Sequence, residues 1–442
     1  MAKYQKYAEY KDSGVEWFVE LPIDWKVSKL KQVVDQNRQI TYGIVQAGPN
    51  VENGIPYIRP ADMTDEKGIK SFDELLRTSE QIALSYDRSK IKTGDIVISI
   101  GPSFGKVMMT PANLDGANLT QGTARIAISS EHNSRYFFWV LRSTISFSQW
   151  ESVIGGATFR ALNLGPLADT YVGFPSYDEQ VKIATFLDHE TAKIDSLIAK
   201  QEKLIELLKE KRQAVISHAV TKGLNPDVAM KDSGVEWLGQ VPEHWEISPI
   251  KFILENKDYK RIPLSAEERG NFSGDYRYYG ASGVIDYIDD YIFDEPNVLV
   301  GEDGANLVNR NTPLAFPAYG KYWVNNHAHI LHPQDGLADY WAELIEIIDI
   351  SPLVSGSAQP KLTAEALKNL KISFPSDMEE RKAIDAFIKQ QKAKFDLLIS
   401  KATDQIKLLK ERRTALISSA VTGKIDVHNW QHPNEAKTEF SA

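Results

Sequence analysis

Ile205–Thr221 reads IELLKEKRQAVISHAVT, and Ile406–Thr422 reads IKLLKERRTALISSAVT. The apolar positions of the two stretches match at a fixed offset, so the chain contains a duplicated unit. Around the first copy, over 177–222, Leu, Ile, Lys, Glu and Gln dominate, without Pro or Gly, as in good helices. Extending each copy outward gives two helical blocks, 177–222 and 377–426. In the first, Ile183, Leu187, Ile194, Leu197, Leu204, Leu208 and Val215 recur in steps of three, four and seven. In the second, Ile384, Ile388, Phe395, Leu398, Leu409 and Leu416 do the same. Such spacing places one apolar stripe on each helix, as coiled-coil packing requires. Gln201, Lys211, Gln405 and Arg412 interrupt the seam, so no uniform zipper is expected.

A second duplication lies further out. Lys11–Trp17 reads KDSGVEW, and Lys231–Trp237 repeats it letter for letter. Pro22 and Trp25 follow the first copy, and Pro242 and Trp245 follow the second at the same offsets. Trp buries a large area, and equivalent places in two halves argue for core anchors over base-stacking platforms. The regions between the helical blocks, 1–176 and 223–376, are rich in Gly, Pro, aromatic and β-branched residues. Asp95–Ile100, Thr123–Ile128, Asn297–Val300 and Tyr322–Leu331 read as strands between turn signals. Residues 427–442 are polar and read as a flexible tail. The expected class is α+β: a tandem pseudo-twofold repeat of two globular domains with twisted β-sheets, separated by two long helices packed as an antiparallel coiled coil. A helix of about 36 residues spans ~54 Å, more than one DNA turn of ~34–36 Å. The helices then read as a spacer between two heads; two helices packed separately on their own domains is the simpler alternative.

Bulk composition narrows the classes. A length of 442 residues exceeds one ordinary core. The 42% apolar and 25% charged content is that of a soluble globular protein. No apolar run is long enough to span a membrane, and the first residues lack the apolar core of a secretory signal. Cysteine is absent, which excludes disulfides and thiolate metal sites and suits a cytoplasmic location. The formal net charge of −9 opposes nucleic-acid binding in bulk. Local basic patches or a basic partner would have to supply phosphate contacts.

Taken in order, these features resemble the specificity subunits of type I restriction–modification systems over nearly the whole chain. The resemblance is carried by the doubled KDSGVEW with its Pro and Trp, by FPSYDEQVKIATFLD at Phe174–Asp188, and by FPSDMEERKAIDAFI at Phe374–Ile388. The segment Gly320–His329 and the pair Ile154–Leu162 and Val354–Leu362 add to it. The resemblance implies two target recognition domains, each reading one half of a bipartite, asymmetric DNA sequence. It implies that the helices fix the spacing of the half-sites and dock two methyltransferase subunits. It further implies that S-adenosylmethionine, Mg²⁺ and ATP belong to the methyltransferase and restriction subunits, with no cofactor and no catalysis on this chain.

Base readout needs donors and acceptors in loops: Arg or Lys toward guanine, Asn or Gln toward adenine, apolar groups toward the thymine methyl. The candidates are Arg59, Ser103, Lys106, Asn118, Gln121, Thr158 and Arg160 in the first head. In the second they are Tyr279, Ser282, Asn306, Arg310, Lys321, Tyr322, Asn325, Asn326, Gln359 and Lys361. Each alone also reads as an ordinary loop residue. Arg160 and Lys361 stand out because they occupy matched places in the two halves. His327, His329 and His332 lie close in sequence, but a third protein ligand is not implied beside His327 and His329, so no metal is expected. Gly101–Gly105 and Gly301–Gly304 lack the phosphate-loop spacing and read as turns, with Glu302 and Asp303 repelling phosphate. Asp227 with Glu255 and Lys257 matches a metal-dependent nuclease only loosely. No Asn-Pro-Pro-Tyr or Asp-Pro-Pro-Tyr segment is present, so the adenine-cradling motif of amino-methyltransferases is missing. A self-sufficient nuclease and a coiled-coil scaffold without DNA are the competing readings.

Overall fold

The repeated Lys-Asp-Ser-Gly-Val folds the same way twice. The Asp12 carboxylate accepts the Gly14 N–H at 2.9 Å, and Asp232 accepts Gly234 at 2.9 Å. The Ser13 hydroxyl accepts the Val15 N–H at 3.1 Å, and Ser233 accepts Val235 at 3.1 Å. Gly14 and Gly234 take φ of +72° and +66° with open space around them, so backbone conformation alone requires glycine there. Each turn belongs to an antiparallel hairpin: Tyr10–Val15 with Phe18–Pro22, and Met230–Asp232 with Gln240–Pro242.

The computed structural model describes residues 4–64, 68–154, 160–271, 273–356 and 359–432. It divides into two units, Met1–Gln201 with Gln405–Ala442, and Glu202–Asp404. Each unit holds one head and part of each long helix.

In the first unit, Val107–Met109, Ile96–Ser99, Thr123–Ile126 and Thr41–Tyr42 form an antiparallel sheet in that order. A smaller sheet joins Asn118–Leu119, Ile55–Ile58 and Arg77–Thr78. The strand entering the head, Lys26–Lys29, pairs antiparallel with the strand leaving it, Tyr171–Phe174. In the second unit the same closure joins Trp245–Pro249 to Lys371–Pro375. One sheet there runs Leu254–Asn256, Ala328–Pro333, Asn297–Gly301, Ala315–Ala318. The other runs Gly283–Ile288, Ser273–Gly280, Lys321–Val324, Phe293–Asp294. The expected single strand over Tyr322–Leu331 is in fact two, Lys321–Val324 and Ala328–Pro333, belonging to different sheets. The Asn325 side chain caps the turn between them by accepting the His327 N–H at 2.8 Å.

The central helix runs Tyr177–Lys222 and the C-terminal helix Met378–Val421. Each stops beside a glycine in the left-handed region, Gly223 at φ +78° and Gly423 at φ +70°. In the first unit, Ile183, Leu187, Ile194 and Ile198 share one core with Leu416, Ile417, Ala420 and Val421. There Asp195 meets Arg413 at 2.7 Å while Glu179 lies 3.6 Å from His428, so the two segments run antiparallel. In the second unit, Ile216, Ala219 and Val220 share a core with Ile384 and Ile388. Arg212 meets Asp396 at 2.7 Å, and a Cβ on Gly223 would lie 3.3 Å from Glu380, again antiparallel.

Part of the expected seam is displaced. Leu197, Leu204 and Leu398 are 47%, 43% and 38% exposed and belong to neither core. Leu208 and Val215 are only half-buried, and Leu409 flanks the first core. Phe395 is buried as expected. The buried stripe runs instead through Ile198 and Ile216, one position on from Leu197 and Val215, and takes in Ile417 beside the expected Leu416.

Trp25 and Trp245 are the anchors of their heads, 0% and 1% exposed. Each donates its indole N–H to a helix carboxylate at 3.1 Å, Trp25 to Glu179 and Trp245 to Glu380. Trp17 is half-buried and Trp237 is 40% exposed, so the second Trp of each copy, not the first, fills the core. The start of the expected flexible tail is packed as well. Val427 is buried, and the Trp430 ring sits edge-on to Phe186 at 5.4 Å. Among the described residues no helix is long and apolar enough to cross a membrane.

Candidate nucleic-acid interface

One corner is built alike in both units. In the first, the turn after Ile96–Ser99 is tied to the turn at residues 120–122, because the N–H groups of Ile100 and Gly101 donate to the Gly122 carbonyl at 2.8 and 3.2 Å. The Leu162 N–H donates to the Ile100 carbonyl at 2.8 Å, which brings Arg160 to the same corner. In the second, the turn after Asn297–Gly301 receives the Leu362 N–H on the Glu302 carbonyl at 2.8 Å. The Glu302 N–H donates to the His327 carbonyl at 2.9 Å, and the Asn325 N–H donates to the Tyr279 carbonyl at 3.0 Å. The turns carrying Ser282, Asn326, Gln359 and Lys361 thus meet at one edge of the second head.

The candidates fare differently at these corners. Ser103 and Gln121 in the first head, and Ser282, Asn326 and Gln359 in the second, are exposed. Arg160 is exposed too, and its guanidinium sits 5.6 Å from the Phe104 ring centre and 2.5 Å from Glu151. Its counterpart Lys361 bonds Glu302 at 3.0 Å. Arg59 is held by Asp62 at 2.6 Å, and that hydrogen bond keeps the guanidinium above its ordinary pKa. Each of these cations already has a carboxylate, which a phosphate would have to displace. Lys321 is exposed, with its ammonium 4.4 Å from the Tyr291 ring centre. Thr158 lies outside the described residues.

Other candidates are buried or hydrogen-bonded within their own head. Asn118 is fully buried and donates to the Ala83 carbonyl at 3.2 Å. Tyr279 and Tyr322 pack edge to face at 5.5 Å inside the second head, and the Tyr322 hydroxyl bonds Asn297 at 2.6 Å. Asn325 is 6% exposed and spent on its turn. Lys106 donates to the carbonyls of Pro60 and Met63 at 3.3 and 3.0 Å. Arg310 donates to the Ile348 carbonyl at 2.7 Å, and Asn306 closes its own loop by two bonds to the Thr312 backbone. These side chains are bonded within the fold to backbone or side-chain partners.

The three histidines do not converge. His327 faces Asp303 at 2.9 Å, and His332 faces Asn297 at 3.0 Å. His329 is 1% exposed between the Asp258 carboxylate at 2.6 Å and the Leu362 carbonyl at 2.9 Å. The ring thus bridges a carboxylate and a backbone carbonyl. Burial raises the Glu302 carboxyl, but hydrogen bonds from Arg261 and Lys361 outweigh it and hold the pKa below the ordinary value. Asp258 is held down as well: burial raises it, but the bond and charge of His329 together with the hydrogen bonds of Ile330 and Asn256 outweigh that. The acidic Glu302 therefore organises its corner. The sequence reading passed over Arg38, Arg88, Lys90, Lys92 and Arg125, which line one concavity of the first head. The signal was the alternation Arg88-Ser-Lys90-Ile-Lys92.

Comparison with known proteins bears on this doubled architecture. The family model described as type I restriction modification DNA specificity domain matches residues 22–207 and again 242–408. The specificity subunit of the type I restriction enzyme EcoBI from Escherichia coli is 26% identical over 200 residues, 45% of this chain and 42% of that one. The MjaVIII specificity subunit from Methanocaldococcus jannaschii is 22% identical over 439 residues, 93% of this chain and 95% of that one. Two solved structures share the fold. A chain from a study of complex assembly and conformational transition in a type I R-M system has a TM-score of 0.70 at 16% identity, covering 92% of this chain and 99% of that one. The HsdS subunit from Thermoanaerobacter tengcongensis has a TM-score of 0.52 at 15% identity, covering 92% and 98%. With both of its halves matched by the same family model, the chain belongs to the type I restriction–modification DNA specificity family.

Proposed function

We propose that the chain is the DNA sequence-specificity subunit of a type I restriction–modification complex, acting in the cytoplasm. Each head reads one half of a bipartite, asymmetric duplex target. The observation that carries this reading is the doubled corner: turns after equivalent strands, closed by Leu162 in one unit and Leu362 in the other. The exposed Ser103, Gln121, Ser282, Asn326 and Gln359 would face base edges, while Arg59, Arg160, Lys321 and Lys361 would exchange their present contacts for DNA. The two heads differ in sequence, as reading different bases requires.

The two long helices would act as spacer and as docking surface for two methyltransferase subunits, with Leu197, Leu204 and Leu398 among the apolar side chains left exposed on them. Restriction subunits would join the assembly. S-adenosylmethionine, Mg²⁺ and ATP would reside on those partners, and this chain would perform no chemistry itself. Sequencing of methylated adenines in genomic DNA tests the reading. Deleting the chain should abolish methylation at one bipartite motif. Exchanging Val27–Ser176 for the corresponding block of another family member should alter one half of the motif; a change in both halves would refute modular readout.

A further inference from the structure

The first head carries a concavity of about 750 Å³ whose lining opposes the acidic balance of the whole chain. Arg38, Arg88, Lys90, Lys92 and Arg125 line it, against Asp87 as the one carboxylate among the lining residues. Two of the cations are neutralised: Arg38 bonds Asp95 at 2.5 Å, and Lys90 bonds Asp87 at 2.7 Å. Arg88 and Lys92 are exposed, and among the described residues their side chains have no hydrogen bond or ion pair. Arg125, on the strand Thr123–Ile126, is 5% exposed. Its guanidinium donates to the carbonyls of Arg88 at 2.5 Å, Lys90 at 3.0 Å and Gln39 at 3.1 Å. These acceptors are neutral, so the arginine fixes the turn that presents Arg88 and Lys90 while keeping its own charge without a bonded carboxylate. Burial, then repulsion from Arg38, hold its pKa below the ordinary arginine value.

Asp87 and Asp95 bond two of the five cations, and Asp35 and Asp115 act on Arg125 and Lys92 without bonding them, so the concave site keeps a net positive field that attracts anions. Small-molecule pockets are lined mainly by apolar side chains, and Ile40 is the one aliphatic residue here. Exposed Asn37 and Gln39 stand beside the cations. Amides next to unpaired cations suit a phosphodiester chain, where charge fixes position and neutral donors meet the sugar or base edge.

We propose that this concavity is a phosphodiester-binding site, in which Arg88 and Lys92 hold backbone phosphates of the DNA engaged by the first head. The proposal rests on the DNA-reading function given above. A free phosphate shares the chemistry, so the test separates the two sources. With the full chain assembled with its methyltransferase subunits, binding to a mixed-sequence duplex is measured by anisotropy across a salt series. R88A/K92A should weaken binding and flatten the log–log salt slope by about 1.8, since each lost phosphate contact removes about 0.9. The methylated motif should stay the same. Because both side chains are exposed and unbonded, the variant should fold; K92E gives a second check and should weaken binding further than Lys92→Ala. Lys92 acetylation, read by mass spectrometry, should be blocked by the duplex and not by inorganic phosphate.

An unchanged slope and affinity in both variants overturns the site while leaving the DNA-reading function intact. Protection by inorganic phosphate with none by duplex overturns it in favour of a free anion. If the wild-type assembly shows no DNA binding, the underlying reading fails instead.

Discussion

Arg413 reaches from the C-terminal helix to Asp195 on the central helix, Nε to Oδ1, at 2.7 Å. The same relationship recurs in the second unit between Arg212 and Asp396 at 2.7 Å. Both members lie 201 positions from their counterparts, the offset of the duplicated helices, so the ion pair was copied with them. Asp195 is about half exposed, and such pairs contribute roughly 0–1 kcal/mol. A double-mutant cycle on Asp195→Ala and Arg413→Ala, read by urea denaturation, should give a coupling under about 1 kcal/mol that shrinks with salt. A coupling of several kcal/mol would mean the pair is far better shielded than its exposure indicates.

The two Trp–carboxylate bonds should be the costly ones. Trp25→Ala and Trp245→Ala each empty a fully buried site, and large aromatic truncations cost about 3–5 kcal/mol. Calorimetry should show the first substitution lowering the unfolding temperature of the unit that contains Met1–Gln201, and the second lowering that of Glu202–Asp404. Equal losses in both transitions from either variant would show that the units do not melt independently.

Asn118 gives a test of core against interface. It is buried and bonded to the Ala83 carbonyl. Asn118→Ala should therefore reduce stability by about 1–3 kcal/mol and leave the methylated motif unchanged. A relaxed motif with unaltered melting would return Asn118 to the DNA-reading set.

The Asp258–His329–Glu302 cluster predicts acid lability in the second unit. Both carboxyls are held below their ordinary values of 3.8 and 4.5. A carboxyl with a depressed folded pKa contributes stability that is complete above its unfolded pKa and is lost as pH falls through the folded one. Stability of this unit should thus decline below about pH 4.5, and Glu302→Gln should flatten that decline. His329→Ala should cost about 1–3 kcal/mol by removing one hydrogen bond to Asp258, which keeps the Ile330 N–H at 2.8 Å and Arg261 at 3.7 Å. A stability profile that stays flat as pH falls below about 4.5 would contradict the arrangement.

Much of the architecture was legible because the chain states it twice. The KDSG turns are local: an Asx bond and a left-handed glycine need nothing beyond five residues. The helices were legible from composition, yet Leu197 and Ile198 lie three and four positions after buried Ile194, and the choice between them depends on what packs opposite. The interface was harder to read. Asn118 and Tyr322 look like polar loop residues in one dimension, and only the sheets show them facing inward. Arg88 and Lys92 passed unnoticed because their importance comes from Arg38 and Arg125, remote in sequence and adjacent in space.

The first unit is assembled from two stretches, Met1–Gln201 and Gln405–Ala442, separated in sequence by the second unit's residues, Glu202–Asp404. On the ribosome this imposes an order of events. Glu202–Asp404 has all its partners once residue 404 has emerged, whereas the earlier-made head must wait with Ile183, Leu187 and Ile194 uncovered until Leu416 and Val421 arrive. Contacts of such long sequence separation form slowly and leave apolar surface open to aggregation meanwhile. Premature termination anywhere before the final helix would therefore spoil the head synthesised first.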